Sequence, residues 1–408
     1  MRFICRFSLV LIFIFCTAIS SFAQQNNLSV FAMDKNALVT NKSKLKSGDK
    51  ALAPAYENLV DKANKIIAQQ PIVSVMEKSG MPPSGDMHDY MSLALYFWPD
   101  PSKADGLPYI RKDGEINPEV NTFKDKRNMM DMSASIESLA LAYYFSDDKK
   151  FSARAIQQLR AWFLDPATKM NPNFNFAQAV RGKNDGRGIG IIECRILINV
   201  IDAIGLIKSD PSWTKKDQQG METWFSDFLQ WFITSKNGIE EMNTKNNHGI
   251  WYDAQKLSFA LFTHNDEVAK NTVKSIQSRL EYQMDTTGFF PAELERTISL
   301  HYSVFIIEPL FMIANMSNAT GVDMWHYTSP TGRSIEKGFN VLKPYISKEK
   351  DWVGQQIKPF EFSSNGTPIL AQGYYKYNCT TCRDAIYKIF SDDKEAQKSI
   401  IHLTSLID

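Results

Sequence analysis

The chain has 408 residues, with 46 Lys and Arg against 45 Asp and Glu, and a formal net charge of +1. At 44% hydrophobic and 22% charged, with 20 Gly and 17 Pro, it is too apolar for a disordered chain and too poor in Gly and Pro for a fibrous repeat. The balanced charge excludes a nucleic-acid binder working through a broadly basic face, and leaves room for a local cationic pocket.

Arg2 and Arg6 precede an apolar run over 7–19, and Ser21-Phe22-Ala23 places small residues at two key positions before a cut at Gln24. That is the pattern of a secretory signal. Residues 1–23 are expected to be removed after Ala23, leaving a periplasmic or secreted chain of net charge −1. The apolar core of the signal is short of the roughly 20 residues a bilayer span needs. No later stretch reads as long and apolar enough either, so no stable membrane insertion is expected.

Helical periodicity dominates the rest. Leu52, Tyr56, Leu59, Ala63 and Ile66 mark a helix over 49–69, and Met130, Ile136, Leu139 and Tyr144 one over 126–146. Further helices are predicted over 150–164, 189–208, 214–235, 248–263, 266–284, 292–317, 331–345, 382–391 and 393–407. Asp165-Pro166, Ser209-Asp210-Pro211, Asn237-Gly238, Asp285-Thr286-Thr287-Gly288 and Ser329-Pro330 separate them. Strand alternation is scarce, with short candidates at 71–76 and 93–98. The fold class is therefore all-α. Short links imply antiparallel hairpins, arranged as an irregular bundle or closed into an α/α toroid. No flexible linker divides the chain. Residues 24–350 are expected to form one domain, with 351–408 a helical extension packed on it. The polar loops at 79–124 and 170–188 are long enough to be functional.

Cys194 lies in an apolar run and reads as a buried thiol. Cys379 and Cys382 have CxxC spacing without a surrounding βαβ pattern, which suits structural cysteines, reduced or locally bridged, better than a catalytic dithiol. A zinc site would need a second ligand pair. Six His without ligand spacing point to no metal, and no nucleotide or cofactor fingerprint is present, so no cofactor is expected.

Four runs could carry chemistry. In Asn246-Asn247-His248-Gly249-Ile250-Trp251, two amides and an imidazole open an apolar helix. Either Asn suits an N-cap, but a cap alone does not call for His248 and Trp251 beside it. Arg296, His301 and Tyr302 fall near the start of a long helix. Arg296 and Tyr302 are six apart and off one strict stripe, so a late or distorted helix start would let them converge. An Arg paired with Glu293 or Glu295 and a Tyr in the core is the plain alternative. The third run, 84–101, carries His88, Tyr96 and Trp98 among Pro and Gly, a composition for sugar stacking or for a packed loop. The fourth, 175–188, holds Gln178 with Arg181, Lys183 and Arg187 on a Gly-rich loop, a candidate anion site.

The runs HDYMSLALYFWPDP, LPYIRKDGEINPE, MNPNFNFAQAVRGKNDGRGIGII, NNHGIWYDAQ and RTISLHYSVFIIEPL, in this order, resemble the alginate lyase domain family of polysaccharide lyases over about residues 55–350. The resemblance implies an α/α toroid that cleaves uronate polysaccharides by β-elimination. It implies catalytic roles for Asn247, His248, Arg296 and Tyr302. Gln178, Arg181, Arg187, Tyr96, Trp98, His88, Trp251 and His301 are the candidates for substrate binding. The expected partner is an acidic polysaccharide, mannuronate-rich alginate first, and no nucleic acid; the oligomeric state is not legible. The residues suit the role: Asn247 and Arg296 can neutralise a uronate carboxylate, and Tyr302 can move the proton if a nearby cation lowers its pKa. A glycoside hydrolase using Glu293, Glu295 or Asp253, and a non-catalytic glycan-binding envelope protein, are the rival readings. Residues 81–86, rich in Pro and Gly, are expected to form a mobile lid.

Overall fold

The computed structural model describes residues 28–393 and 396–407, so the expected signal over 1–23 lies outside the described residues. Helices α1 (Lys35–Lys46), α2 (Ala53–Gln69), α3 (Asp125–Ser146) and α4 (Lys149–Leu159) open the fold. Next come α5 (Leu197–Ile207), α6 (Lys215–Thr234), α7 (Lys236–Met242), α8 (Asn247–Phe262) and α9 (Asp266–Gln283). The chain continues through α10 (Pro291–Leu294), α11 (Ser299–Ser317), α12 (Ile335–Ile346), α13 (Thr367–Tyr377), α14 (Thr380–Asp392) and α15 (Ile401–Thr404).

Side chains beside the links cap several helix starts. Thr214 and Asp217 form a reciprocal capping box on α6, and Asn265 and Ser334 accept backbone N–H groups at the starts of α9 and α12. An inner row forms where α3 packs on α5, α5 on α8 and α8 on α11. An outer layer of α2, α4, α6, α9 and α12 covers it. This is the all-α, incomplete α/α toroid. Val200, Ile201, Ile250, Ala254, Leu257, Ile307 and Leu310 are fully buried between the two layers. The first and last described segments meet: Asn41 donates to the carbonyls of His402, Leu403 and Ser405, and Lys376 pairs with Asp34.

Several expectations need correction. The helix expected over 292–317 is broken at 295–298, because Thr297 and Ile298 spend their backbone groups on other segments. Asn237-Gly238 is no break but lies inside α7; a Cβ on Gly238 would meet the Phe232 carbonyl oxygen at 1.9 Å, so glycine permits close helix approach. Helices α1 and α13 escaped the reading altogether. The candidate strand at 71–76 is not one, since Val73 pairs with the Gln158 side chain rather than with another strand. The second candidate resolves into β1 (Met91–Leu93) and β2 (Phe97–Trp98), joined by β3 (Ile110–Arg111) and β4 (Phe176–Ala179). β1 pairs in parallel with β4, and β2 antiparallel with β3. Contrary to expectation, the segment Ser299–Thr320 is long and apolar enough by composition to cross a membrane, but 72% of its most apolar 18-residue stretch is buried within the fold, as in a core helix. Cys379 and Cys382 form a disulfide, and Cys194 is a buried free thiol.

Candidate active site

A cleft of about 530 Å³ opens where the loops over 95–116 and 178–195 meet the N-terminal ends of α8 and α11. Its lining holds five cations, Arg111, Lys126, Arg187, Arg195 and Arg296, against one carboxylate, Glu193. A second cavity of about 310 Å³ shares His301 and Phe305 with the cleft but is lined by Glu137, Asp202 and Glu308. The charge contrast decides which of the two suits a polyanion.

Asn246 caps α8, accepting from the His248 backbone N–H, and so fixes the next two side chains. Asn247 is fully buried; its backbone N–H and its Nδ2 donate to the two oxygens of Glu293 at 2.6 and 2.8 Å. Its Oδ1 has no partner. Burial raises the Glu293 pKa, and the Asn247 donors work against that shift. His248 Nδ1 lies 2.7 Å from the buried carboxylate of Glu241. Because a carboxylate only accepts, the Nδ1 proton points at Glu241 and, in the neutral ring, Nε2 is left as the acceptor.

The broken stretch at 295–298 makes Arg296 and Tyr302 converge, as a late helix start requires. The Arg296 guanidinium stacks 3.5 Å from the centre of the Tyr302 ring. It is held by Asp113, not by Glu293 or Glu295, through Nε at 3.1 Å and Nη2 at 2.7 Å. Burial pushes the Asp113 carboxyl up, but Arg296 and the Thr297 backbone outweigh it and hold the pKa at about 2. The Tyr302 hydroxyl lies 3.0 Å from that of Tyr96. Burial raises its pKa well above the ordinary tyrosine value, Tyr96 adds to the rise, and Arg296 opposes it without prevailing. The expectation that a cation would bring Tyr302 below its usual value is thus reversed in the free protein: the phenol is a proton carrier at rest. Burial, with Arg195 and Arg296, lowers the His301 pKa and so favours its neutral ring.

Gln178 takes a left-handed backbone with φ of 52°, uncommon for a non-glycine residue, and is 5% exposed. The Ser92 hydroxyl accepts its backbone N–H, and its Oε1 accepts from Arg187 Nη2 at 2.9 Å. Arg187 also stacks 4.9 Å over Phe97. Of the candidate residues, Asn247, His248, Arg296, Tyr302, Gln178, Arg187, Tyr96 and His301 therefore share the cleft.

Four do not line it. Trp251 is 1% exposed with Nε1 on the Phe305 carbonyl, so it is a core residue and a platform for Arg195 rather than a sugar contact. Arg181 is turned to Glu119, His88 to the Lys169 carbonyl, and Trp98 to the Glu115 carbonyl. Residues 81–86 do not line the cleft either; Asp86 is tied to Asn171. Sequence reasoning missed Asp113, Glu241, Arg111, Lys126 and Arg195, and had Glu293 in another role. Asp113 and Arg111 lie inside the run LPYIRKDGEINPE and so carried some signal; Asp113 is 183 residues from Arg296, whereas Glu241 is only seven from His248.

The alginate lyase family model matches residues 74–352. A crystal structure of an alginate lyase from Bacteroides ovatus superposes with a TM-score of 0.86 at 36% identity, covering 93% of this chain and 100% of that one. Alginate lyase A1-III from Sphingomonas species A1 shares the fold at 14% identity and a TM-score of 0.52, over 81% of this chain and 90% of its own. The curated alginate lyase of Pseudomonas syringae pv. tomato is 29% identical over 27% of this chain, and the chain spans 29% of that relative's length. The family match takes in every residue of the cleft, and on it the chain belongs to the alginate lyase family.

Proposed function

We propose that the protein is a lyase that cleaves an acidic, uronate-containing polysaccharide by β-elimination, with mannuronate-rich alginate as its substrate, and that it is exported to the periplasm or beyond. The carrying observation is Arg296 stacked on Tyr302 in a cationic cleft that also holds Asn247 and His248. The names of the relatives, alginate lyases, support the choice of polymer.

The reaction breaks C5–H and C4–O of one uronate, forms the C4–C5 double bond, and returns the proton to the departing O4. No water is consumed. The C5 proton becomes removable only when the adjacent carboxylate is neutralised, which falls to Arg296 and to the second N–H of Asn247 Nδ2. Glu293 orients that amide. On a mannuronate unit the C5 hydrogen and O4 share a face, so Tyr302 can serve both steps, with Arg296 stabilising its phenolate. On a guluronate unit they lie on opposite faces; His248 Nε2 then takes the proton and Tyr302 donates to O4. The proton held by Tyr302 at rest suits the donor step directly.

A hydrolase needs two carboxylates flanking the bond. Among the described residues the cleft offers one, Glu193, held by Tyr90, Ser92 and Lys126. Asp253 is buried on Arg279, and Glu293 lies behind Asn247. The test is ultraviolet absorbance of the unsaturated product on polymannuronate, polyguluronate, glucuronan and hyaluronan. Reducing ends released without absorbance would mark a hydrolase.

A further inference from the structure

Residues 352–358, starting where the family match ends, lie across the back of the broken helix start that carries Arg296 and Tyr302. The Ser299 N–H donates to the Gln355 carbonyl and the Ile357 N–H to the Thr297 carbonyl, both at 2.9 Å. Ile298 and Gln356 form an antiparallel bridge. α11 has no side-chain N-cap of its own. Gln356 Oε1 instead accepts the Leu300 N–H at 3.1 Å, and the Gln355 carbonyl also accepts from Ser299 Oγ. Two of the four orphan N–H groups at the start of α11 are thus capped by a segment more than 50 residues away in sequence.

The same segment reaches the Arg296 anchor. Lys358 Nζ donates to the Gly114 carbonyl at 2.6 Å, next to Asp113. Thr297, bridged to Ile357, donates its Oγ1 to the Asp113 carbonyl. Trp352, edge-on to Tyr345 and Phe289, donates Nε1 to Ser299 Oγ and pins the near end. Val353 is 92% exposed and Ile357 49%, so the segment is a strap and not a core element.

We propose that 352–358 is a positioning strap that completes the active site, with Gln356 its principal positioning residue. The strap caps α11 from outside and locks Asp113, so Arg296 and Tyr302 keep their stacked geometry without substrate. The C-terminal part of the chain then belongs to the machinery rather than standing beside it. The kinetic side of the inference rests on the lyase reading.

The test compares Gln356→Ala, Gln356→Glu and Gly354→Ala in the full chain. A Cβ on Gly354 would sit 2.6 Å from Ser299 Oγ and Trp352 Nε1, so it should lift the strap. In Gln356→Ala, kcat should fall about tenfold, the scale of one hydrogen bond, with KM within about twofold. Gln356→Glu keeps the acceptor at a helix N-terminus but gives up the Nε2 donor to the Lys358 carbonyl, and should restore most of kcat. Gly354→Ala should behave as Gln356→Ala. Equal loss in the Ala and Glu variants, or unchanged kcat in Gln356→Ala, overturns the inference. Hydrogen exchange supplies an arm independent of activity. Faster exchange over 295–302 in Gln356→Ala, with 248–262 unchanged, supports the strap; unchanged exchange over 295–302 overturns it. A wild-type chain that cleaves no uronan would sink the lyase reading and leave the strap to be judged by exchange.

Discussion

Replacing Asp113 with Asn should disable Arg296 without touching any residue placed on the substrate. Asp113 gives Arg296 a two-pronged carboxylate contact and also accepts the Thr297 backbone N–H at 3.3 Å. Its carboxyl is held at about 2 against an ordinary aspartate value of 3.8. At 1.36 kcal/mol per unit, that shift corresponds to about 2 kcal/mol of favourable interaction. The Asp113 side chain is 19% exposed and Arg296 13%, so solvent screening trims the figure to about 1–2 kcal/mol. The same free energy, if it is what holds the guanidinium in its reactive position, is worth between about five- and thirtyfold in kcat/KM. The assay pairs initial rates of unsaturated-uronate formation with thermal unfolding across pH. A depressed carboxyl pKa stabilises the fold above the unfolded value, and that stabilisation is lost as pH falls through the folded value. The stability gap between wild type and Asp113→Asn should therefore be full above about pH 4 and close toward pH 2. Wild-type activity in the variant, or a gap that widens in acid, would refute the reasoning.

Glu241→Gln should lower kcat more than it raises KM, because Gln can present an amide N–H to His248 Nδ1 and reverse the tautomer; steady-state rates at fixed pH check this. Arg187→Ala should raise KM for the polymer with a smaller change in kcat, and the difference should shrink at high salt. On mannuronate, kcat/KM should climb with pH above about 8, since burial keeps the Tyr302 base form scarce below its raised pKa. On guluronate, with Tyr302 as the acid, it should stay flat over that range; a pH series on both block polymers tells the cases apart. Replacing both Cys379 and Cys382 with Ser should cost roughly 2 kcal/mol or less, as expected for so short a loop, and leave activity unchanged, since the bridge sits at the start of α14, away from the cleft.

What the sequence made legible follows from how local each signal is. The helices that carry the cleft, α8 and α11, are apolar and buried on nearly every side, so their length and apolar content made them legible more than a sharp period did, and Asn247 and His248 adjoin a cap that any N-terminus rule finds. The kink between Arg296 and Tyr302 was foreseeable as a need but not as a structure, because its cause is Asp113 and the 352–358 strap, both distant in sequence. Glu241 is close in sequence to His248 but hidden for another reason: the seven-residue offset spans the end of α7 and the turn before α8, whose path no local pattern specifies. Aromatic content misled at Trp251 and Trp98: composition reports a ring but not which way it faces. The cationic loop misled by count, since of Arg181, Lys183 and Arg187 only Arg187 lines the cleft. The rise in the Tyr302 pKa was out of reach, because it depends on how far the fold buries the phenol.

The central claim is that Tyr302, stacked under Arg296, moves the proton in an elimination. The most direct measurement is ultraviolet product formation from polymannuronate by the wild-type chain and by Tyr302→Phe, with both shown to be folded by circular dichroism and thermal unfolding. The account predicts that the wild type accumulates the absorbing unsaturated uronate and that the variant loses at least about a hundredfold in kcat, the lower range for removing a general acid–base group. A folded Tyr302→Phe that forms the unsaturated product at near wild-type rate would contradict it.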